Sequence, residues 1–172
     1  MKFGLLQQLI VLKAKDYFTL ASVSCGFLAI YSTMLGYAWS GLLVLAAIVL
    51  DYLDGLVARS GKKPAANTFG RELDSLADAV SFGAAPAVIT LAVRPDVVGF
   101  FAALFYLCCT IVRLALFNLQ KKNGYYGLPS PAAAFIAVLV AALYPDVNVV
   151  PVVLVIVGAL MVSGFRLEKP PA

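Results

Sequence analysis

Apolar residues fill six long blocks along the chain, separated by short polar breaks. The blocks are Phe18–Tyr37, Gly41–Ala58, Leu73–Val93, Val97–Leu116, Pro129–Tyr144 and Val149–Phe165. Crossing a hydrocarbon core takes about 20 apolar residues in a helix, and the pattern predicts six such helices. The breaks at Tyr37–Ser40, Ser60–Gly70, Arg94–Asp96, Gln120–Leu128 and Pro145–Asn148 carry Gly, Pro, Asn or charge, as turns do. Residues 1–16 pattern differently: Phe3, Leu6, Leu9, Ile10 and Leu12 stand beside Lys2, Lys13 and Lys15, which predicts an amphipathic helix lying at the headgroups. The expected fold is therefore an all-α integral membrane protein, a six-transmembrane-helix bundle preceded by that surface helix. With no repeat and no linker, 1–172 reads as a single membrane domain: an interfacial helix at 1–16, the bundle at 17–166 and a short tail at 167–172.

Composition sharpens this picture. Hydrophobic residues make up 62% of the 172 and charged residues 13%, with a mean hydropathy of +0.94. Soluble domains are roughly 45–50% apolar and about 25% charged, so a water-soluble enzyme and a disordered tail are both excluded. There is no histidine, which removes His-based triads and His-rich metal sites. Cys25, Cys108 and Cys109 lie in apolar runs without paired spacing and read as small core hydrophobes. With a cytoplasmic N-terminus, every Lys and Arg except Arg94 falls on or near the cytoplasmic side, and an even number of spans returns the C-terminus there. The predicted localisation is the cell membrane, both termini cytoplasmic. Gly26, Gly36, Gly41, Gly83, Ala84, Ala85, Gly158 and Gly164 are the positions where helices are expected to approach closely.

Four of the nine acidic residues fall inside the apolar blocks. Asp51 and Asp54 lie late in the second block at i,i+3; Asp74 and Asp78 lie early in the third at i,i+4. Each pair projects from one helix face. The intervening break makes the two helices an antiparallel hairpin, which brings both pairs to similar depth near the cytoplasmic boundary. Charges at membrane depth cost ~2.5–3.5 kcal/mol each on the insertion scale and usually mark function. Salt bridges to Arg59, Arg71 and Arg113 are one explanation, but three cations do not neutralise four anions. Oxygen-only ligands favour a hard cation, Mg²⁺ or Mn²⁺, and four carboxylates suffice for two ions. Gly55, Ala58 and Gly70 remove bulk beside the pairs, either for a phosphate-bearing ligand or for helix packing.

Together these residues read Asp51-x2-Asp54-Gly55-x2-Ala58-Arg59, then Gly70-x3-Asp74-x3-Asp78. This resembles the signature of the CDP-alcohol phosphotransferase family, with the stretch between Arg59 and Gly70 two residues longer than is usual there. Leu73–Pro86, Arg113-Leu-Ala-Leu-Phe-Asn118 and Tyr126-Gly-Leu-Pro-Ser-Pro-Ala-Ala-Ala134 are similar to the phosphatidylserine synthase branch. There Leu116 stands where the branch often has a second Arg, and Asp16-Tyr17-Phe18-Thr19 matches the family's Pro-Asn-x-x-Thr only at Thr19.

The resemblance implies transfer of a phosphatidyl group, or its ether-lipid equivalent, from a CDP-linked lipid to L-serine with release of CMP. It implies that Asp51, Asp54, Asp74 and Asp78 hold two Mg²⁺ or Mn²⁺ ions, and that Asp78 is also the general base. It gives Gly55, Ala58, Arg59, Gly70, Thr19 and Arg113 to substrate binding, with the cytidine end beside Gly55 and Ala58. Arg113 suits a phosphate or the carboxylate of serine; snorkelling to the interface is its other reading. A homodimer in the bilayer, without nucleic acid, is implied as well. Glycerol 3-phosphate or an inositol phosphate as acceptor is the alternative within the family, and a cation transporter the alternative outside it.

Overall fold

The computed structural model describes residues 14–60, 68–119, 125–164 and 166–167. The expected surface helix at 1–16 lies outside these residues apart from its last three. Those three open α1, Ala14–Met34. Then follow α2 (Ser40–Ser60), α3 (Thr68–Asp78), a π-helical segment (Ala79–Ala84), α4 (Ala85–Val93), α5 (Val97–Leu119), α6 (Ser130–Leu143) and α7 (Val149–Val162). The third apolar block is thus one rod made of α3, the π segment and α4, and it begins at Thr68 rather than at Leu73. Tyr125–Tyr126 and Arg166–Leu167, expected as loop and tail, pair antiparallel as β1 and β2.

Among the described residues, three helical stretches are long and apolar enough to cross a membrane: Asp16–Met34, Phe69–Val93 and Val97–Leu119. The other three rods fall at the expected blocks Gly41–Ala58, Pro129–Tyr144 and Val149–Phe165. Two of them, α6 and α7, have 14 residues each, about 21 Å of helix against a core of about 30 Å. The remaining one, α2, has 21 residues and carries Asp51 and Asp54 in its second half.

The interior is built from small side chains. Ala29, Val44, Ala47, Phe82, Ala85 and Ala134 form one buried cluster; Ala103, Tyr106, Ala133, Leu154 and Met161 belong to a second. Large apolar side chains point outward instead: Phe27 is 64% exposed, Leu42 65% and Phe101 61%. In water such a surface would aggregate; against lipid tails it costs nothing, and close backbone approach becomes the source of helix association. A Cβ at Gly26 would sit 2.6 Å from the Cα of Ser81, and one at Gly83 3.1 Å from Leu107, so these glycines do let α1 and α5 close on the π segment. Gly36 and Gly164 do not act this way. A Cβ on either meets nothing within 4 Å. Gly36 instead adopts φ 77° and ends α1, where Tyr37 N–H donates to the Ser32 carbonyl at 2.9 Å.

The π segment has an identifiable cause. Pro86 has no N–H, so the Phe82 carbonyl four residues earlier loses its α-helical donor. The fully buried Tyr106 hydroxyl donates to that carbonyl at 2.8 Å, and the Ala85 N–H reaches back five residues to Val80. Ser81 donates to the Ser22 carbonyl and Ser22 to the Ala47 carbonyl, both at 3.1 Å, tying the π segment to α1 and α1 to α2.

At the far end of the bundle, Arg94 bonds both carboxylate oxygens of Asp96, the Val147 carbonyl and Asn148 Oδ1, at 2.9–3.1 Å. The Gly99 N–H, then Arg94, hold the exposed Asp96 carboxyl below its usual range. Its contribution is therefore present at neutral pH and lost as pH falls through the lowered value.

Tyr106→Phe should orphan the Phe82 carbonyl and cost about 1–3 kcal/mol, read as a lower thermal midpoint in detergent. Adding Pro86→Ala restores an N–H four residues on, so the double variant should lose less than Tyr106→Phe alone.

Candidate active site

One end of the hairpin formed by α2 and α3 collects the acidic side chains. Helical spacing puts Asp51 on the α3-facing side of α2, and puts Asp74 and Asp78 one turn apart on α3. One carboxylate oxygen from each of Asp51, Asp74 and Asp78 lies within 4.8 Å of the other two, and all three residues are half-buried. At that separation, in an effective dielectric of about 20, two full charges repel by roughly 3–4 kcal/mol. A divalent cation is the counter-charge that fits three hard oxygens at this spacing.

Asp54 stands apart from the other three. It is 5% exposed, and its Oδ2 accepts the Thr19 hydroxyl at 2.8 Å across to α1. Its Oδ1 is buried and accepts no hydrogen bond among the described residues. The structure thus brings together three of the four carboxylates expected to bind metal, and gives the fourth a hydrogen-bonded anchor with one oxygen left over. Thr19, expected at the substrate, has its proton on Asp54. Asp16, which the sequence pattern left as an ordinary helix-end acid, is fully buried in the first turn of α1.

Arg113, on α5, lies within electrostatic reach of Asp78. Its Nη1 donates to the buried Ser130 hydroxyl at 2.6 Å, and its guanidinium sits 6.0 Å from the centre of the Phe117 ring. Ser130 and Pro131 start α6, so the turn that opens that helix also positions the arginine. Gly55 faces open space, with nothing within 4 Å of where a Cβ would be. Gly70 is buried in the first turn of α3, four residues before Asp74. Ala58 and Arg59 continue the α2 helix, but their side chains lie outside the described residues, as do those of Tyr125 and Tyr126. Leu116 is 46% exposed at the edge of α5.

Ser75 and Asn118 went unassigned in the sequence. Asn118 Nδ2 donates to Ser75 Oγ at 2.9 Å, joining α5 to α3 beside Asp74. A polar amide one residue before the end of a 23-residue apolar helix was the available signal.

The family model for CDP-alcohol phosphatidyltransferase matches residues 14–164. A CDP-diacylglycerol–serine O-phosphatidyltransferase of Methanocaldococcus jannaschii is 32% identical over 161 residues, which cover 94% of this chain and 76% of that protein. A protein of the same name from Bacillus subtilis is 35% identical over 132 residues, 73% of each chain. An archaetidylserine synthase of Methanothermobacter thermautotrophicus is 30% identical over 161 residues, 90% of this chain and 69% of that one.

If the carboxylate cluster binds a divalent cation, Mn²⁺ should raise the thermal midpoint saturably, by about 2.7 kcal/mol at a hundred times the dissociation constant. Asp74→Asn should remove most of that stabilisation, and Thr19→Val, which unanchors Asp54, should weaken it less.

Proposed function

The chain belongs to the CDP-alcohol phosphatidyltransferase family of membrane enzymes, and on that footing we propose that it transfers a phosphatidyl or ether-lipid phosphatidyl group from a CDP-linked lipid to L-serine. The observation that carries this reading is the convergence of Asp51, Asp74 and Asp78 within 4.8 Å, beside an arginine held by Ser130. The serine transferases among the similar proteins support the choice of acceptor.

The cluster fits Mg²⁺ or Mn²⁺ in its oxygen-only donors, and the spare Asp54 oxygen suits a second ion. A divalent cation bound there supplies charge neutralisation to the pyrophosphate. The remaining work falls to the chain's own groups. The open side of Gly55 leaves room for the cytidine end, together with Ala58 and Arg59, and Gly70 lets that end approach the start of α3. Arg113 presents a planar fork to the carboxylate of serine. Asp78 takes the proton of the serine hydroxyl; the oxygen forms a bond to the lipid-bearing phosphorus, and the bond from that phosphorus to CMP breaks.

The six rods lie in the membrane as six spans of one domain, the shorter pair included, with both termini and the site on the cytoplasmic side of the cell membrane. The excess of Lys and Arg at that end supports this orientation. The protein works as a homodimer, which cross-linking in native membranes tests.

Detergent-purified protein supplied with Mg²⁺ or Mn²⁺ and a CDP-linked lipid should release CMP with L-serine, and not with glycerol 3-phosphate or inositol phosphate. Release only with a phosphorylated alcohol would move the acceptor and keep the site. Asp78→Asn should abolish turnover while keeping the fold; a fully active variant would remove Asp78 as the base.

A further inference from the structure

Asn118 ends the α5 face that looks onto α3, and its amide is oriented by a chain of hydrogen bonds. Ser75 Oγ donates to the Arg71 carbonyl at 3.1 Å. The hydroxyl has one proton, so at its contact with Asn118 it can only accept, and Nδ2 must be the end that faces it at 2.9 Å. The Oδ1 end is thereby turned away from Ser75. It is shielded from solvent and accepts no hydrogen bond among the described residues. A buried acceptor left in this state is costly, and it becomes favourable once a donor arrives.

Its position says which donor. Ser75 follows Asp74 on α3, so the amide meets that helix one residue along from a carboxylate of the cluster. Arg113 is five residues earlier on the same helix, about 7.5 Å along its axis. The acceptor reading above puts a carboxylate at Arg113 and gives the hydroxyl proton to Asp78. A carboxylate has no proton to offer, and the hydroxyl proton is already committed. The amino group is the only donor left on an amino alcohol of this kind. An amide oxygen serves it without adding a fourth negative charge to a cluster of three.

We propose that Asn118 Oδ1 receives the ammonium group of the incoming alcohol, making Asn118 the residue that selects an amino acid over an amine-free acceptor. Ser75 is the positioning residue that sets the amide's orientation. The inference rests on serine being the acceptor.

The test crosses a variant with a substrate analogue. L-serine and 3-hydroxypropionate share the hydroxyl and the carboxylate and differ in the amine. The wild type should favour serine in kcat/KM by roughly 10–100-fold, the usual weight of a hydrogen bond to a charged group. In Asn118→Leu the preference should collapse to within about threefold, by a rise in KM for serine at unchanged KM for the CDP-linked lipid. Asn118→Asp keeps the shape and an oxygen; with no N–H to give, its other oxygen takes the Ser75 proton from the Arg71 carbonyl, and the preference should hold even if repulsion from the acidic cluster lowers activity towards both alcohols. Should the Leu variant not fold, the Asp variant decides alone: loss of the preference there overturns the assignment. An Asn118→Leu enzyme that loses activity equally towards both alcohols overturns it too, and shows Asn118 to be structural while serine transfer stands. A wild type that turns over an amine-free alcohol and not serine overturns the proposed function, and this inference with it.

Discussion

Holding three carboxylates within 4.8 Å of one another on mostly apolar helices is the constraint around which the bundle is arranged. Neither helix supplies the cluster alone, because Asp51 comes from α2 and Asp74 and Asp78 from α3. The hairpin must therefore stay closed against the mutual repulsion of its own charges. Lipid offers no hydrophobic force to close it. Closure comes from small side chains and short polar ties: Gly26 against Ser81, Ser81 to the Ser22 carbonyl, Ser22 to the Ala47 carbonyl. The same economy of bulk explains why alanine recurs through the interior while most of the large apolar side chains face out.

The π segment gives α5 a second role. It starts at the residue after Asp78, so its winding sets how the lower half of the rod continues from the site. Tyr106 bonds the Phe82 carbonyl within it. Arg113 is seven residues further along α5, two turns on and on the same stripe, and acts on Asp78 itself. One face of one helix thus satisfies the break that Pro86 creates and also sets the charge beside the acid next to it. Irregular winding of this sort recurs at functional sites because it re-aims a side chain without a loop.

The apolar blocks and the paired spacing of Asp51–Asp54 and Asp74–Asp78 were legible in the sequence, because helical period alone decides which residues share a face. What depended on a partner far along the chain was not. Asp54 looked equivalent to Asp51; Thr19, 35 residues away, separates them. Asp16 lies outside the apolar blocks and is nonetheless fully buried. Gly36 and Gly26 are both glycines in or beside an apolar block, but only packing distinguishes the one that ends a helix from the one that admits a neighbour. Pro86 was visible in the third block, but its consequence required knowing that Tyr106 would stand opposite the carbonyl it orphans. The ends of the last two rods were less legible for another reason: hydropathy runs through Pro129 and Ser163 without registering where the backbone stops being helical.

The two ends of the bundle treat charge in opposite ways, and the contrast bears on what the protein is built to meet. At the far end Arg94 is matched within its own chain by Asp96, Asn148 and a carbonyl, and the buried Thr90 hydroxyl is the group there with no partner among the described residues. At the other end, carboxylates crowd together while Asp54 Oδ1 and Asn118 Oδ1 sit buried with no donor among the described residues. Unsatisfied acceptors cost about 1–3 kcal/mol each, and the two at the site end call for cations or for N–H donors. On the proposed function a divalent metal and an amino alcohol supply both, and their binding would then add to folding stability at that end of the bundle.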